Sequence, residues 1–204
     1  MKKIKLIGIA ILSISLLGAC STNEKKVSVS KGEKTSQSSK KEEKKEPVKS
    51  EQGKRSNPVK IGEVASLKEK FFDDSHKPHD GKLDISITEV KKGDEAWGII
   101  SQANMFNEQA PEGYEWFLVK AKVTVSDLDS DDIKYKVYNS FKPFDSNGQS
   151  IDQSISVVSP DPQFDGEIFK GGTIEGYFTF IAKTNDKVLL EYKGNTADCF
   201  FTLQ

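Results

Sequence analysis

Apolar and polar residues alternate along most of the second half of the chain, in short runs with the two-residue period of a β-strand. The longest run spans 116–125, and others cover 83–88, 174–182, 188–192, 197–203, 64–67, 134–138, 141–144 and 155–158. Asp145-Ser146-Asn147-Gly148 and Gly171-Gly172 are turn sequences that accept positive φ. About eight or nine short strands separated by such turns predict an all-β fold, an antiparallel β-sandwich of two sheets.

One segment departs from the two-residue period. Within 94–106 the apolar residues are spaced by three and four, as on one face of an α-helix. Asp94 is a candidate N-cap, and the segment ends before Pro111. We therefore expect one short helix inserted between strands, although Gly98 lowers its helix propensity.

The N-terminal residues have the pattern of an export signal. Lys2, Lys3 and Lys5 precede an apolar run at 6–17. That run is too short to cross a bilayer as a helix, which needs about 20 residues. It is typical of a secretory signal peptide.

The sequence Leu17-Gly18-Ala19-Cys20 ends this segment. It resembles the lipobox of bacterial lipoproteins, in which the cysteine thiol receives diacylglycerol and the signal is then cut so that the cysteine becomes the first residue. Two or more acyl chains hold a protein stably on a bilayer, whereas one holds it marginally. The resemblance implies a signal peptide at 1–19 and a mature chain anchored by Cys20 to the outer face of the cytoplasmic membrane.

Composition divides the remaining chain into two parts. The stretch 20–56 contains no aromatic residue and is rich in Ser, Lys and Glu, so it cannot bury enough apolar surface to offset chain entropy. We predict a disordered tether there and a folded domain at 57–204. The net charge of −1 conceals an excess of basic residues in the tether and 25 acidic against 16 basic residues in the domain. An acidic domain repels phosphates, which excludes nucleic acid as a partner.

Four stretches of the domain carry a family resemblance. They are 113–123 (GYEWFLVKAKV), 144–148 (FDSNG), 171–180 (GGTIEGYFTF) and 189–192 (LLEY). Together they resemble the telokin-like, immunoglobulin-fold domain of unassigned function found on secreted lipoproteins of Gram-positive bacteria. The resemblance implies an immunoglobulin-like β-sandwich outside the cell and brings no agreed catalytic residues with it.

Two clusters are weak candidates for a metal site. Asp127, Asp129 and Asp131 occupy alternate positions, as in a calcium loop, but the glycine and glutamate that an EF-hand needs further on are missing. His76 and His79 lie in a polar loop rich in aspartate, yet zinc requires more ligands in a tetrahedral frame. Solvated loops are the favoured interpretation of both clusters, and we expect no cofactor.

Nucleophilic catalysis finds little support in the sequence. Cys199 shares one face of a predicted strand with Ala197, Phe201 and Leu203, which predicts a buried core thiol. The single arginine, Arg55, falls in the predicted tether, so the domain is expected to lack the guanidinium forks that bind carboxylate or phosphate.

Four aromatic residues near the predicted helix are candidates for a ligand or partner groove: Trp97, Phe106, Tyr114 and Trp116. Packing of the helix onto the sandwich is the favoured alternative for them. We therefore predict a non-enzymatic binding module in the cell envelope, whose partner is cationic or uncharged. An envelope-structural or accessory role is the first alternative, and a wall-glycan hydrolase that uses an unidentified carboxylate pair is the second.

Overall fold

The computed structural model of the protein describes residues 27–31 and 52–204. These residues form the strands and the helix β1 (Val27–Lys31), β2 (Glu63–Phe72), β3 (Pro78–Lys92), α1 (Gly93–Ala103), β4 (Tyr114–Leu128), β5 (Tyr135–Val137), β6 (Phe141–Phe144), β7 (Gly166–Ile168), β8 (Thr173–Lys183), β9 (Leu189–Lys193) and β10 (Asp198–Thr202). The predicted signal peptide and the residues Leu17, Gly18, Ala19 and Cys20 lie outside the described residues.

The larger sheet has the strand order β1-β2-β3-β4-β8, and neighbouring strands are antiparallel. Its central strand β4 shows why the two-residue period is informative. Every second residue from Phe117 to Val125 is buried, because this face of β4 meets the second sheet. On the opposite face, Trp116 and Leu118 are buried beneath the helix, whereas Lys122 is exposed to solvent.

The second sheet has the order β10-β9-β6, and β5 pairs with β7 beside it. Phe141 of β6 joins the two layers, since its ring stacks on Phe178 of β8 with the centroids 4.9 Å apart. The ring of Phe141 also meets Tyr192 and Phe201 edge-on. Aromatic pairs of this kind stabilise a core by about 0.5–1.5 kcal/mol each beyond the area they bury. The predicted all-β antiparallel sandwich with one short helix is confirmed.

The helix α1 packs on the outer face of the larger sheet. Ala96 and Ile100 form a separate apolar cluster with Trp116, Leu118 and Ile181. The structure corrects the predicted bounds at both ends. Lys92 occupies the N-cap position without a side-chain cap, Asp94 falls in the first turn, and the helix ends at Ala103.

The predicted tether is wrong at its two described parts. Strand β1 lies inside it and pairs with β2, so that Val27 is opposite Leu67 and Lys31 is opposite Glu63. The stretch before β2 runs along the edge strand β10, where the carbonyl of Gly53 accepts the amide of Phe200 at 2.8 Å. These residues belong to the domain, and the rest of the predicted tether lies outside the described residues.

The strands of the structure differ from the predicted ones at two further places. The stretch 155–158 was expected to be a strand, but it forms no named strand in the described chain, and Ile155 and Val157 pack instead against the helix cluster. Conversely, β7 is a strand that the pattern did not predict. Among residues 27–31 and 52–204, no helix is both long enough and apolar enough to cross a bilayer.

Candidate binding site

The four aromatic candidates do not share one groove. Trp116 is only 2% exposed and donates its indole N–H to the carbonyl of Glu108 at 3.1 Å. Trp97 is half-buried and packs against the same cluster. Both tryptophans therefore hold the helix on the sheet, as the alternative interpretation proposed, whereas Phe106 and Tyr114 remain exposed.

Phe106 lies in a tight turn that follows α1. The amide of Asn107 donates to the carbonyl of Asn104 at 3.0 Å, and the amide of Phe106 donates to the Asn104 side-chain oxygen at 2.9 Å. The apolar spacing had placed Phe106 on the helix. The turn instead directs it away from the core.

Asn107 fixes this turn to a distant part of the chain. Its side-chain nitrogen donates to the carbonyl of Ile100 at 2.7 Å and to the carbonyl of Val158 at 2.9 Å. The amide of Val158 in turn donates to the Asn107 side-chain oxygen at 2.9 Å. Because one amide side chain joins the end of the helix to the 155–158 stretch, the turn has a defined conformation.

Three apolar side chains project from these linked segments, and we call them the apolar knuckle: Met105, Phe106 and Val158. Met105 is 86% exposed, Phe106 is 81% exposed and Val158 is 45% exposed. Isolated exposed apolar residues are ordinary, but these three are a candidate interaction surface because Asn107 links the segments that carry them. Sequence reasoning identified Phe106 and missed Met105 and Val158.

The knuckle lies in an acidic environment. The segments 93–119 and 143–169, which supply it, contain no lysine, arginine or histidine. Glu108 and Glu112 follow Phe106 by two and six residues and are exposed. The surface therefore combines protruding apolar side chains with negative charge.

The first metal candidate does not form a site. Asp127 pairs with Lys82 at 3.6 Å, and Asp131 pairs with Lys170 at 3.5 Å. Asp129 points elsewhere, toward His79. The three aspartates of the acidic loop therefore have three different partners.

His79 does bring the two candidate clusters together. Its Nδ1 lies 2.8 Å from Asp129, and its Nε2 lies 3.4 Å from Asp73. The hydrogen bond from His79 lowers the pKa of Asp129. The pKa of Asp73 is lowered mainly by a hydrogen bond from the Lys77 amide, with a smaller contribution from His79. His76 has no part in this contact and adopts a φ of 60°. Within the described ranges, no three His, Cys, Asp or Glu residues are arranged to hold a metal ion.

A small cleft of about 170 Å³ bears on the hydrolase hypothesis, because Asp145, Asp152 and Asp186 line it together with Tyr114. The Asp145 carboxylate accepts the amides of Asn147 and Gln149. The Ser146 hydroxyl bonds to Asp186, and this hydrogen bond lowers the pKa of that carboxyl. A glycosidase acid needs a raised pKa, so the lowered pKa of Asp186 does not suit a proton donor, and the hydrogen bonds of Asp145 stabilise its turn.

Cys199 is completely buried. Burial raises the pKa of its thiol to about 12, which opposes formation of the nucleophilic thiolate. The predicted core thiol is confirmed.

Comparison with known proteins identifies the family. The family model described as "Domain of unknown function (DUF4352)" matches residues 77–198, which is more than half of the chain. The chain belongs to this family. The DUF4352 match covers the sandwich from the start of β3 to the start of β10, including α1 and the knuckle.

Two solved structures are also similar to this chain. The secreted protein MPT63 of Mycobacterium tuberculosis shares 10% sequence identity at a TM-score of 0.40, over 71% of this chain and 97% of that protein. An uncharacterized β-sandwich protein of Clostridium difficile 630 shares 11% identity at a TM-score of 0.35, over 78% of this chain and 100% of that protein. No curated protein matches the sequence. The description of the DUF4352 family names no activity.

Proposed function

We propose that this chain is a secreted lipoprotein, held to the outer face of the membrane through Cys20, whose sandwich binds an envelope protein without catalysing a reaction. The apolar knuckle carries this proposal. Its side chains are exposed although they belong to a turn fixed by Asn107, so a partner would meet a surface that is already organised.

The energy available at the knuckle suits a specific contact. Burying a Met or Phe side chain contributes about 1.5–3 kcal/mol, and tenfold in affinity corresponds to about 1.4 kcal/mol. Met105 and Phe106 together would therefore govern the affinity. Little further ordering is required, because the backbone on both sides already has hydrogen-bond partners.

The charge around the knuckle defines the partner. Glu108 and Glu112 favour an apolar pocket rimmed by lysine or arginine. The same acids oppose insertion into anionic lipid, which attracts basic segments instead. The proposed occupant is therefore a protein with a basic, partly apolar pocket.

The structure supports the two alternative functions unequally. An envelope-structural or accessory role would use the same knuckle surface and differs only in what the partner does. A glycan hydrolase has less support, because Asp145 and Asp186 both take part in hydrogen bonds with turn residues.

Site-specific crosslinking in living cells tests the knuckle. A photoreactive phenylalanine is placed at Phe106 in the full chain, and matched variants carry it at Phe72 and Phe169, which are 50% and 49% exposed. We expect one protein adduct from position 106 that the two control positions do not give. When this chain and the crosslinked protein are purified, Met105→Ser should weaken their binding by about tenfold or more.

Charge reversal provides the second arm of this experiment. Glu108→Lys with Glu112→Lys should reduce the adduct, since both changes repel a basic rim. Equal adducts at all three positions, adducts to lipid only, or an adduct that Met105→Ser leaves intact would contradict the proposed surface.

The membrane anchor has its own test. Cys20→Ala should release the exported chain from the membrane fraction and abolish labelling by an alkyne-bearing fatty acid. Retention of the exported variant on the membrane would show that the anchor is not the Cys20 lipid.

A further inference from the structure

A cleft of about 360 Å³ lies at the end of the second sheet, away from the apolar knuckle. Its walls are formed by the stretch before β2, the Asp145–Gly148 turn and the beginning and end of the β9–β10 hairpin. The side chains that matter for binding are Arg55, Ser56, Ser146, Lys187, Val188 and Leu189. A volume of this size lies within the range of small-molecule sites.

Arg55 is positioned by the fold although the sequence pattern assigned it to the tether. The hydrogen bond between Gly53 and Phe200 holds its stretch of chain on β10. The guanidinium lies over Gly148 and occupies the space that a side chain at residue 148 would take. Gly148 has a φ of 81°, so the turn itself favours glycine at this position.

The cations of the cleft are available, whereas Asp145, which also lines the cleft, and Asp186, which precedes Lys187, bond to turn groups. The Arg55 guanidinium and the Lys187 ammonium form no hydrogen bond or ion pair with any residue that the structure describes. In contrast, the Asp145 carboxylate accepts the amides of Asn147 and Gln149 at 3.0 and 2.7 Å. Asp186 bonds to Ser146 and to the Lys187 amide.

We propose that this cleft binds the carboxylate or phosphate of a small organic anion. Arg55 supplies a planar fork that matches two oxygens of either group, and Lys187 adds a second positive charge. The hydroxyls of Ser56 and Ser146 lie on the same lining and offer further donors. Leu189, which is half-buried, gives an apolar surface for the remainder of the ligand.

The lining residues fall partly outside and partly inside the family match, since Ser146 and Lys187 lie within it. Arg55 and Ser56 precede the residues 77–198 that match the DUF4352 model. The proposal is also independent of the knuckle, because none of the knuckle residues lines this cleft.

Titration of the exported chain, followed by amide chemical shifts in NMR spectra, tests the site. The probes are hexanoate and hexyl phosphate, which separate the two anionic groups, with hexanol and hexylamine as neutral and cationic counterparts. We expect saturable shifts at Ser146 and Lys187 with at least one of the two anions and none with the counterparts. Arg55→Gln and Lys187→Gln should each weaken binding at least tenfold.

The controls keep the result specific to the cleft. Lys122→Gln removes one exposed positive charge on the other sheet and should change affinity less than twofold. Arg55→Lys keeps the charge without the fork and should bind between the native chain and Arg55→Gln. Absence of saturable binding by both anions, or unchanged binding in Arg55→Gln, overturns the proposal. Met105→Ser should leave anion binding as it is.

Discussion

The carboxylate of Glu69 accepts the backbone amide of Ala197 at 3.0 Å, which joins strand β2 of the larger sheet to the turn between β9 and β10 of the smaller one. The same carboxylate accepts the amides of Asn195 at 2.7 Å and Thr196 at 3.0 Å. Glu69 is only 4% exposed, so one buried charged side chain satisfies three donors of a single turn.

Replacing this carboxylate should weaken the junction between the sheets. Glu69→Gln puts an amide NH₂ where an acceptor oxygen faces backbone donors, and an unsatisfied buried donor costs about 1–3 kcal/mol. We expect a loss of that size in the free energy of unfolding, measured by urea denaturation. Glu112→Gln, at an exposed position, should change it by less than about 0.5 kcal/mol. Equal effects of the two substitutions would contradict the role of Glu69.

Asn107 offers a second stability prediction. Asn107→Ala removes the hydrogen bonds to Ile100 and to both backbone groups of Val158, and it should cost about 1–3 kcal/mol. Hydrogen exchange at the Val158 amide should become faster, because that amide loses its acceptor. Gln109→Ala, in the same exposed loop, serves as the control. Unchanged exchange at Val158 in Asn107→Ala would show that the turn is held by other contacts.

The contacts of His79 predict how stability depends on acid. The pKa values of Asp73 and Asp129 are lowered below 3.8 in the folded chain. A lowered carboxyl pKa gives stability that is complete above the unfolded value and is lost as the pH falls through the folded one. Asp129→Asn should therefore reduce the slope of the free energy of unfolding against pH between about pH 5 and pH 2. Asp132→Asn should keep the native slope, and a native slope in Asp129→Asn would refute the contact.

Cys199 should be unreactive in the folded chain. In the Cys20→Ala variant Cys199 is the single thiol, and at pH 8 its raised pKa of about 12 leaves almost no thiolate. We expect alkylation by iodoacetamide to be at least a thousandfold slower than in 6 M guanidinium chloride, since it needs opening of the core. Mass spectrometry of the alkylated fraction over time measures both rates. Comparable rates in the two states would show that the thiol is accessible.

Alternation of apolar and polar residues predicted β4 and β8, the first part of β2 and the central part of β3, because each of these runs has a buried face. The alternation misled where a segment is partly buried without pairing to a sheet. Ile155 and Val157 alternate and are partly buried, but they pack on the helix cluster without joining a sheet. Strand β1 does alternate, as Val-Ser-Val-Ser, but the Ser-, Lys- and Glu-rich composition around it favoured a tether, and β7 has only three residues. The pairing partners of both strands are distant in sequence.

The candidate sites were less predictable than the fold. Helical spacing located Phe106 near α1, but it did not show that the helix ends at Ala103, and that end is what exposes Met105 and Phe106. Arg55 was assigned to the tether from local composition. Its place in a cleft depends on Gly53 meeting Phe200 across most of the chain length, which local composition does not encode.

Strand β1 changes the geometry of the proposed attachment. Only residues 21–26 lie between Cys20 and Val27, and at about 3.5 Å per residue the fully extended chain from Cys20 to Val27 spans at most about 25 Å. A lipid on Cys20 would thus hold the domain close to the membrane, with its β1 edge nearest the lipid headgroups. Residues 32–51 follow β1 in the chain, so lengthening them would not lengthen the connection between Cys20 and β1.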